Sequence, residues 1–199
     1  MVQLDNYKFD IDNSVFKLRT KEYYKTKEKK SKEEPLLKLD SLYIFNKNDI
    51  ESFPYNKYKN NINENYLIIN FILKHKVVYF IYKNIYNIKN NVIKKFINGE
   101  ITRENRIKII PFTKYKLLFI KLNKPILLGK KIKIKYNKQP NYFEIKINLE
   151  YPFIKSVLNK LIKKQVKIHL GITIETYKED NMSEELICIV GLNNLNLLS

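Results

Sequence analysis

Apolar and polar residues are distributed along the chain in a pattern that predicts mostly strands. Eight segments rich in β-branched and aromatic residues are interpreted as strands, at 36–45, 66–73, 77–82, 116–122, 131–136, 142–149, 167–177 and 186–192. The short links at 74–76 and 137–140 favour hairpins over crossovers. Segment 20–34 is strongly charged and predicts a surface loop or an ordered arm, and the Asn-rich segment 56–65 predicts a loop.

Two stretches have helical periodicity. The first helix is predicted by apolar residues at Ile85, Ile88, Val92 and Phe96, with Gly99 as its left-handed end. A second is predicted by an apolar stripe that follows Pro152 and comprises Ile154, Val157, Leu158, Leu161 and Ile162. A short helix at 48–53 is a third candidate. The expected fold class is therefore α+β, with a largely antiparallel sheet packed by two to three helices.

Composition and charge bound the domain count and the partners. No Gly/Ser-rich or Pro-rich linker divides the 199 residues, so a lead-in at 1–15 and a single domain at 16–198 are expected. The net charge of +18 attracts polyanions, namely nucleic acid, anionic lipid headgroups or an acidic protein. Lys, Asn and Ile are all abundant, so a compositional bias of the proteome is the alternative explanation of the charge.

Little in the chain indicates catalysis. His75, His169 and Cys188 are too few and too far apart in sequence for a zinc pattern, and no nucleophile or phosphate-loop motif is present. We therefore expect a protein that is not an enzyme and uses no cofactor. The single cysteine suggests a reducing compartment, and no apolar run approaches the ~20 residues of a membrane span.

Lysines on two predicted elements are the strongest binding candidates. Strict alternation places Lys131, Lys133 and Lys135 on one face of a strand. The polar side of the second helix carries Lys160, Lys163, Lys164 and Lys167. Both ridges suit anionic lipid, and both suit a phosphate backbone equally well. A solvated face is the plain alternative for each ridge.

One carboxylate has two interpretations. Glu144 lies on the strand face opposite Phe143 and Ile145. It is either solvated beside a cross-strand lysine or buried and paired with Arg19, Arg103 or Arg106, and the second arrangement would stabilise architecture rather than catalyse a reaction. A lipid-tail cavity between sheet and helix is also conceivable, with Ile154, Leu158, Leu161, Tyr142 and Ile172 as its lining.

Several blocks of residues occur at recognisable spacings. The first block contains Phe16, Arg19, Tyr23, Lys27, Lys29, Glu34, Pro35 and Leu36. The second comprises Phe96–Gly99 followed by Arg103, Arg106, Lys108, Ile110 and Pro111. The third comprises Lys124, Pro125, Leu127, Leu128, Gly129, Lys130, Tyr136, Asn141, Tyr142, Glu144 and Ile145. In this order and with this spacing, the chain resembles the C-terminal domain of the plant Enhanced Disease Resistance 2 proteins, from Phe16 to Leu197.

The resemblance implies an association with membranes. Plant members carry a pleckstrin-homology and a START lipid-binding domain ahead of this one, and neither is expected in this chain. Some family elements are altered here, including a serine pair replaced by Tyr151-Pro152 and a missing LPER element after Leu186. The leading hypothesis is a cytoplasmic, non-enzymatic domain that binds anionic membrane lipid peripherally. A nucleic-acid-binding module and a scaffold for an acidic protein partner remain the alternatives.

Overall fold

The computed structural model describes residues 2–5, 15–31, 34–61, 63–112, 125–128, 132, 134–150 and 169–191. Twelve strands lie within these ranges: β1 Val2–Asp5, β2 Lys17–Arg19, β3 Lys29–Ser31, β4 Leu39–Asn46, β5 Tyr66–Ile72, β6 Lys76–Lys83, β7 Ile107–Phe112, β8 Ile126–Leu127, β9 Ile134–Lys138, β10 Tyr142–Asn148, β11 His169–Ile174 and β12 Leu186–Gly191. Three α-helices occur in the same ranges: α1 Tyr23–Thr26, α2 Tyr55–Lys59 and α3 Asn91–Asn98. Short 3₁₀ turns occupy Lys47–Ser52, Ile85–Asn87 and Lys178–Asp180.

The strands form three sheets. The largest has six strands in the order β1-β4-β6-β5-β10-β9, the second has four in the order β12-β11-β7-β8, and β2 pairs with β3. Within these sheets β5 and β10 are parallel, and the other pairs are antiparallel. Both hairpins predicted from short links are confirmed, since β5 pairs with β6 and β9 with β10.

The expected α+β class is wrong, because strands dominate the structure and no described helix exceeds eight residues. The predicted first helix is interrupted before α3. Asn84 is left-handed at φ 67°, Ile85–Asn87 form a 3₁₀ turn and Ile88 is extended. Ile85 and Ile88 are nevertheless buried, so their spacing reports burial rather than a continuous helix. The predicted second helix and the predicted strand at 116–122 lie outside the described residues.

Other elements differ locally from the prediction. The strands β1, β2, β3, β7 and β8 were not predicted. All of these except β7 have only two to four residues, which is too short to give a clear alternation. The charged segment forms an ordered arm of β2, α1 and β3. Helix α2 occupies part of the predicted Asn-rich loop, where Tyr58 is fully buried and fixes one face of the helix.

Three hydrophobic clusters stabilise the layers. The main core lies between the two larger sheets and α3, and contains Phe80, Phe143, Ile172 and Val190. On the opposite face of the six-stranded sheet, the segment 47–59 covers an aromatic cluster of Tyr43, Phe45, Phe53, Tyr58, Tyr66, Tyr79 and Tyr142 with Ile68, Val77 and Ile81. The third cluster joins the N-terminal arm to the four-stranded sheet and consists of Phe16, Leu18, Ile110, Leu186 and Ile189.

The arm approaches the four-stranded sheet closely at Gly171. A Cβ atom there would lie 2.7 Å from a ring carbon of Phe16 and 3.0 Å from a methyl carbon of Leu186. Only glycine leaves room for the Phe16 ring at this point, and burying that ring contributes to stability. The close approach therefore depends on the absence of a side chain in the middle of β11.

Candidate functional site

An open cleft lies beside β9, the edge strand of the six-stranded sheet. It has a volume of about 660 Å³ and is lined by Ile85, Tyr86, Lys94, Ile97, Asn98, Lys138, Gln139 and Pro140. These residues come from the 3₁₀ turn at Ile85–Asn87, from α3 and from the β9–β10 turn. The cleft therefore combines apolar, amide and cationic side chains from three separate parts of the chain.

Helix α3 presents two polar residues to the cleft. The Asn90 side chain begins the helix by accepting hydrogen bonds from the N–H groups of Val92 and Ile93 at 3.0 and 3.2 Å. Gly99 ends it at φ 76°. Between these ends, the apolar face is buried against the core, while Lys94 and Asn98 are exposed. They are four residues apart, so they are neighbours on the same face.

Strand β9 contributes the second cation. Ile134 and Tyr136 pack against the core, and the Tyr136 ring lies edge-on to Phe96 at 5.6 Å between centroids. Lys138 follows at the same strand parity, so it lies on the α3 side of the sheet. Its Nζ donates to Oδ1 of Asn98 at 3.0 Å. The strand register thereby brings Lys138 to the helix face that carries Lys94.

The two lysines of the cleft lack a carboxylate partner among the described residues. Lys94 makes no ion pair there, and no carboxylate lines the cleft. The Asn98 side-chain amide accepts a hydrogen bond from Lys138 and donates one to the Glu100 carboxylate at 2.8 Å. Glu100 therefore reaches Lys138 only through this amide. Within the described residues, two ammonium groups therefore lie at one cleft without a carboxylate as direct partner.

The apolar side of the cleft is buried and joined to the β9–β10 turn. Ile85 and Ile97 are buried. The Tyr86 hydroxyl donates to the carbonyl of Gln139 at 2.9 Å, which connects the 3₁₀ turn to the β9–β10 turn, and burial raises the pKa of that hydroxyl. A ligand would therefore meet a preformed surface, with apolar contacts beside the two cations.

A buried ion-pair cluster lies in a different region, between the arm and the four-stranded sheet. Lys108 contacts Glu184 and, at 3.0 Å, Glu175. Arg19 contacts Glu175, and its backbone N–H donates to Glu184 at 3.0 Å. Arg106 completes the set by pairing with Asp180. The members of the buried ion-pair cluster are Arg19, Arg106, Lys108, Glu175, Asp180 and Glu184.

This cluster has the features of an architectural element. The Lys108 and Glu184 side chains are only 4% and 0% exposed. Removing one partner from such a site leaves an uncompensated buried charge, so the intact set stabilises one geometry. Arg19, Arg106 and Lys108, all singled out from sequence blocks, thus meet in one cluster.

Glu144 is buried, but without any of the predicted arginines. Its Oε1 accepts hydrogen bonds from the Tyr55 hydroxyl at 2.8 Å and from the Asn70 amide at 2.9 Å. Burial, followed by the neighbouring Glu144 charge, raises the pKa of Tyr55. Neither interpretation of Glu144 is right. The carboxylate is not solvated, and its donors are Tyr55 from the segment 47–59 and Asn70 from β5 rather than an arginine, with the Lys146 ammonium 4.0 Å away.

Arg103 supports α3 at the back of the cleft. Its guanidinium donates to the carbonyls of Phe96 and Ile97 at 2.7 and 2.6 Å. It also lies 5.4 Å from the Tyr136 ring centroid and 5.2 Å from that of Phe143. A cation at the C-terminal carbonyls compensates the helix dipole, and here it also connects α3 to β9.

The remaining sequence-predicted site residues divide into two groups. Lys135 is exposed on β9, as its alternation predicts. Seven motif residues are described: Tyr23 in α1, Tyr136 in β9, Tyr142 in β10, and Phe16, Glu34, Pro35 and Pro125 in the connections between elements. The other binding candidates and motif residues lie outside the described residues: Lys131, Lys133, Lys160, Lys163, Lys164, Lys167, Gly129 and Lys130.

The proposed lipid-tail cavity is not supported by the two lining residues that the structure describes. Tyr142 belongs to the aromatic cluster and Ile172 to the main core, so the six-stranded sheet separates them. Ile154, Leu158 and Leu161 lie outside the described residues. Sequence reasoning missed Lys94 and Lys138, although the polar face of α3 and the position of Lys138 at the turn were visible in the sequence.

The two histidines and the cysteine lie on three different parts of the fold, with Cys188 in β12. His75 lies in the β5–β6 turn, beside a cleft of about 430 Å³, and His169 lies in β11. Burial raises the pKa of the Cys188 thiol, which opposes thiolate formation. Within the described ranges, no three His, Cys, Asp or Glu residues are grouped so that they could bind a metal ion.

A search for helices that could cross a bilayer finds none in the part of the chain that the structure describes. No curated protein and no solved structure shows significant similarity to the chain. The family described as "Protein ENHANCED DISEASE RESISTANCE 2, C-terminal" matches residues 9–196. This range contains the arm, the cleft and every described strand except β1. The chain therefore belongs to the Enhanced Disease Resistance 2 C-terminal family.

Proposed function

We propose that this domain is a non-enzymatic, peripheral membrane protein of the cytoplasm that binds the anionic headgroups of lipids. The observation that carries the proposal is the pair of ammonium groups, Lys94 and Lys138, at a cleft without a lining carboxylate. An ammonium group without an ion pair gains most from an anion supplied by a partner. The exposed Lys95 adds a further charge to the same helix, and the exposed Lys135 adds one on the opposite face of β9.

The net charge supports the same conclusion. Each surface lysine near an anionic bilayer contributes roughly 1 kcal/mol of attraction. At +18 the chain also attracts anionic membranes over a distance of about one Debye length, roughly 8 Å at physiological salt. The apolar residues of the cleft distinguish it from a purely charged surface, because they can contact the less polar part of a headgroup.

Liposome flotation tests the proposal. We expect the purified chain to float with vesicles that contain phosphatidylserine and to remain in the soluble fraction with pure phosphatidylcholine, at physiological salt. Equal recovery with both vesicles would contradict the proposal. Loss of vesicle binding when RNA is added would favour the nucleic-acid alternative, and absence of binding to both lipid and RNA would favour a protein partner.

Charge variants outside the cleft lining test the role of the surrounding surface. The double variant K95Q/K135Q is expected to bind phosphatidylserine vesicles about 30-fold more weakly, because two contributions of roughly 1 kcal/mol are lost. The matched control is K25Q/K30Q, which removes two exposed lysines of the arm that pair with Glu22 and Glu28. An equal loss in both variants would show that only the total charge matters and that this surface has no special role.

A further inference from the structure

We infer that the cleft is a discrete subsite for a phosphate monoester carried by a lipid headgroup. The inference rests on the proposed function and names the ligand chemistry of the same site. It differs from general attraction to an anionic surface, because it requires Lys94 and Lys138 to act on a single group. A lipid with a terminal phosphate monoester should then bind better than one of equal surface charge without it.

The arrangement of the two cations is the first argument. Lys138 reaches across from β9 to Asn98 at 3.0 Å, and Asn98 is four residues after Lys94 on α3. Residues at this helical spacing have Cβ atoms about 5–6 Å apart. Both lysines line the same cleft, and Lys138 contacts the helix face that carries Lys94. Asn98 contacts Lys138 through a neutral amide, so this hydrogen bond does not neutralise the lysine charge.

The charge of the ligand follows from this pair. A phosphate monoester carries about −1.5 to −2 charges at neutral pH and has three acceptor oxygens. Two lysines match that charge and share those acceptors, whereas a carboxylate or a phosphodiester carries one negative charge. Lysine acts as a mobile point charge toward phosphate, so it does not need the fixed geometry of an arginine fork.

The shape of the cleft favours a lipid over a free metabolite. A pocket for a small soluble molecule normally encloses most of the ligand. This cleft is open to solvent, and Ile85, Tyr86, Ile97 and Pro140 line it beside the cations. A ligand that is anchored elsewhere needs only partial enclosure, and the apolar side can contact its glycerol backbone.

The experiment compares two vesicle compositions at equal surface charge, one with phosphatidic acid and one with phosphatidylserine. The full chain is expected to bind phosphatidic acid about tenfold more tightly. In K94Q/K138Q this ratio should fall to about one, whereas in K95Q/K135Q both affinities should fall together and the ratio should persist. K94R/K138R retains both charges and should retain most of the preference. Circular dichroism confirms that each variant is folded.

The outcomes separate this inference from the proposed function. Equal affinity of the unmodified chain for the two vesicles, or a preference that persists in K94Q/K138Q, would overturn the subsite and leave general membrane binding intact. Failure to bind either vesicle would overturn both. Glycerol 3-phosphate tests a soluble ligand. If it binds through Lys94 and Lys138 while vesicles show no preference, the phosphate source is soluble and the lipid assignment is wrong.

Discussion

Replacing Glu184 by alanine is expected to lower the free energy of unfolding by about 3–5 kcal/mol. Glu184 is fully buried, pairs with Lys108 and accepts the backbone N–H of Arg19. Its removal leaves Lys108, which is almost fully buried, with Glu175 as its remaining carboxylate. It also leaves the backbone N–H of Arg19 without its acceptor. Chemical denaturation followed by circular dichroism measures the change.

Two further variants make this prediction specific. Glu22→Ala removes an exposed pair with Lys25, whose N–O distance is 3.6 Å, and should change stability by less than about 1 kcal/mol. The double variant Lys108→Met with Glu184→Met should cost less than the sum of the two single changes, because no lone charge remains buried. If Glu184→Ala cost no more than Glu22→Ala, the cluster would have no stabilising role.

Alkaline pH is expected to unfold the protein through its buried tyrosines. Burial raises the pKa of Tyr79 to about 12, against about 10 in an unfolded chain. Burial also raises the pKa values of Tyr55, Tyr58 and Tyr82. The unfolded state therefore loses these protons first as pH rises, and deprotonation favours unfolding. The stabilising effect is complete below pH 10 and is lost progressively between about pH 10 and pH 12.

The magnitude is large because several hydroxyls act together. A shift of about two pKa units corresponds to roughly 3 kcal/mol for Tyr79 alone. Denaturant titrations at successive pH values should show the free energy of unfolding falling by several kcal/mol over this window, while the tyrosinate absorbance at 295 nm rises together with the loss of structure. Absorbance that rises near pH 10 with the fold intact would contradict the prediction.

Tyr79→Phe is the matched control for the alkaline prediction. It keeps the ring that stacks on Phe53 at 3.8 Å and removes one titrating group. The variant should have nearly unchanged stability at pH 8 and a shallower decline above pH 10. The difference between the two curves isolates Tyr79 from the many lysines that titrate in the same range and change the charge repulsion of the surface.

The sequence predicted the sheet better than the helices. Strong apolar runs such as β5, β6, β10 and β12 were located within one or two residues, because burial on both faces makes them unambiguous. The region before α3 was misinterpreted, since buried residues in a 3₁₀ turn and an extended segment imitate helical spacing. Periodicity records which side chains are buried, and several backbone paths bury the same side chains.

The site was only partly accessible from sequence for a related reason. Arg19, Arg106 and Lys108 were identified through the family resemblance, but their partners Glu175 and Asp180 belong to no quoted block and meet them only through tertiary packing. Lys138 reaches the face of α3 that carries Lys94 only because β9 and α3 are neighbours in the folded structure, which no local pattern encodes. Glu144 could not be assigned because its outcome depends on helix α2, which lay in a predicted loop.

The buried ion-pair cluster also has a consequence for the kinetics of folding. The hydrogen bond between Arg19 and Glu184 joins positions 165 residues apart, so the chain must order a very long loop before this contact forms. We expect contacts of such range to form after local hairpins such as β5–β6. The chain must lose the conformational entropy of the long loop before the contact can stabilise it. An interaction that is absent from the transition state slows unfolding without speeding folding. The cluster thus extends the lifetime of the folded domain rather than helping the chain to reach it.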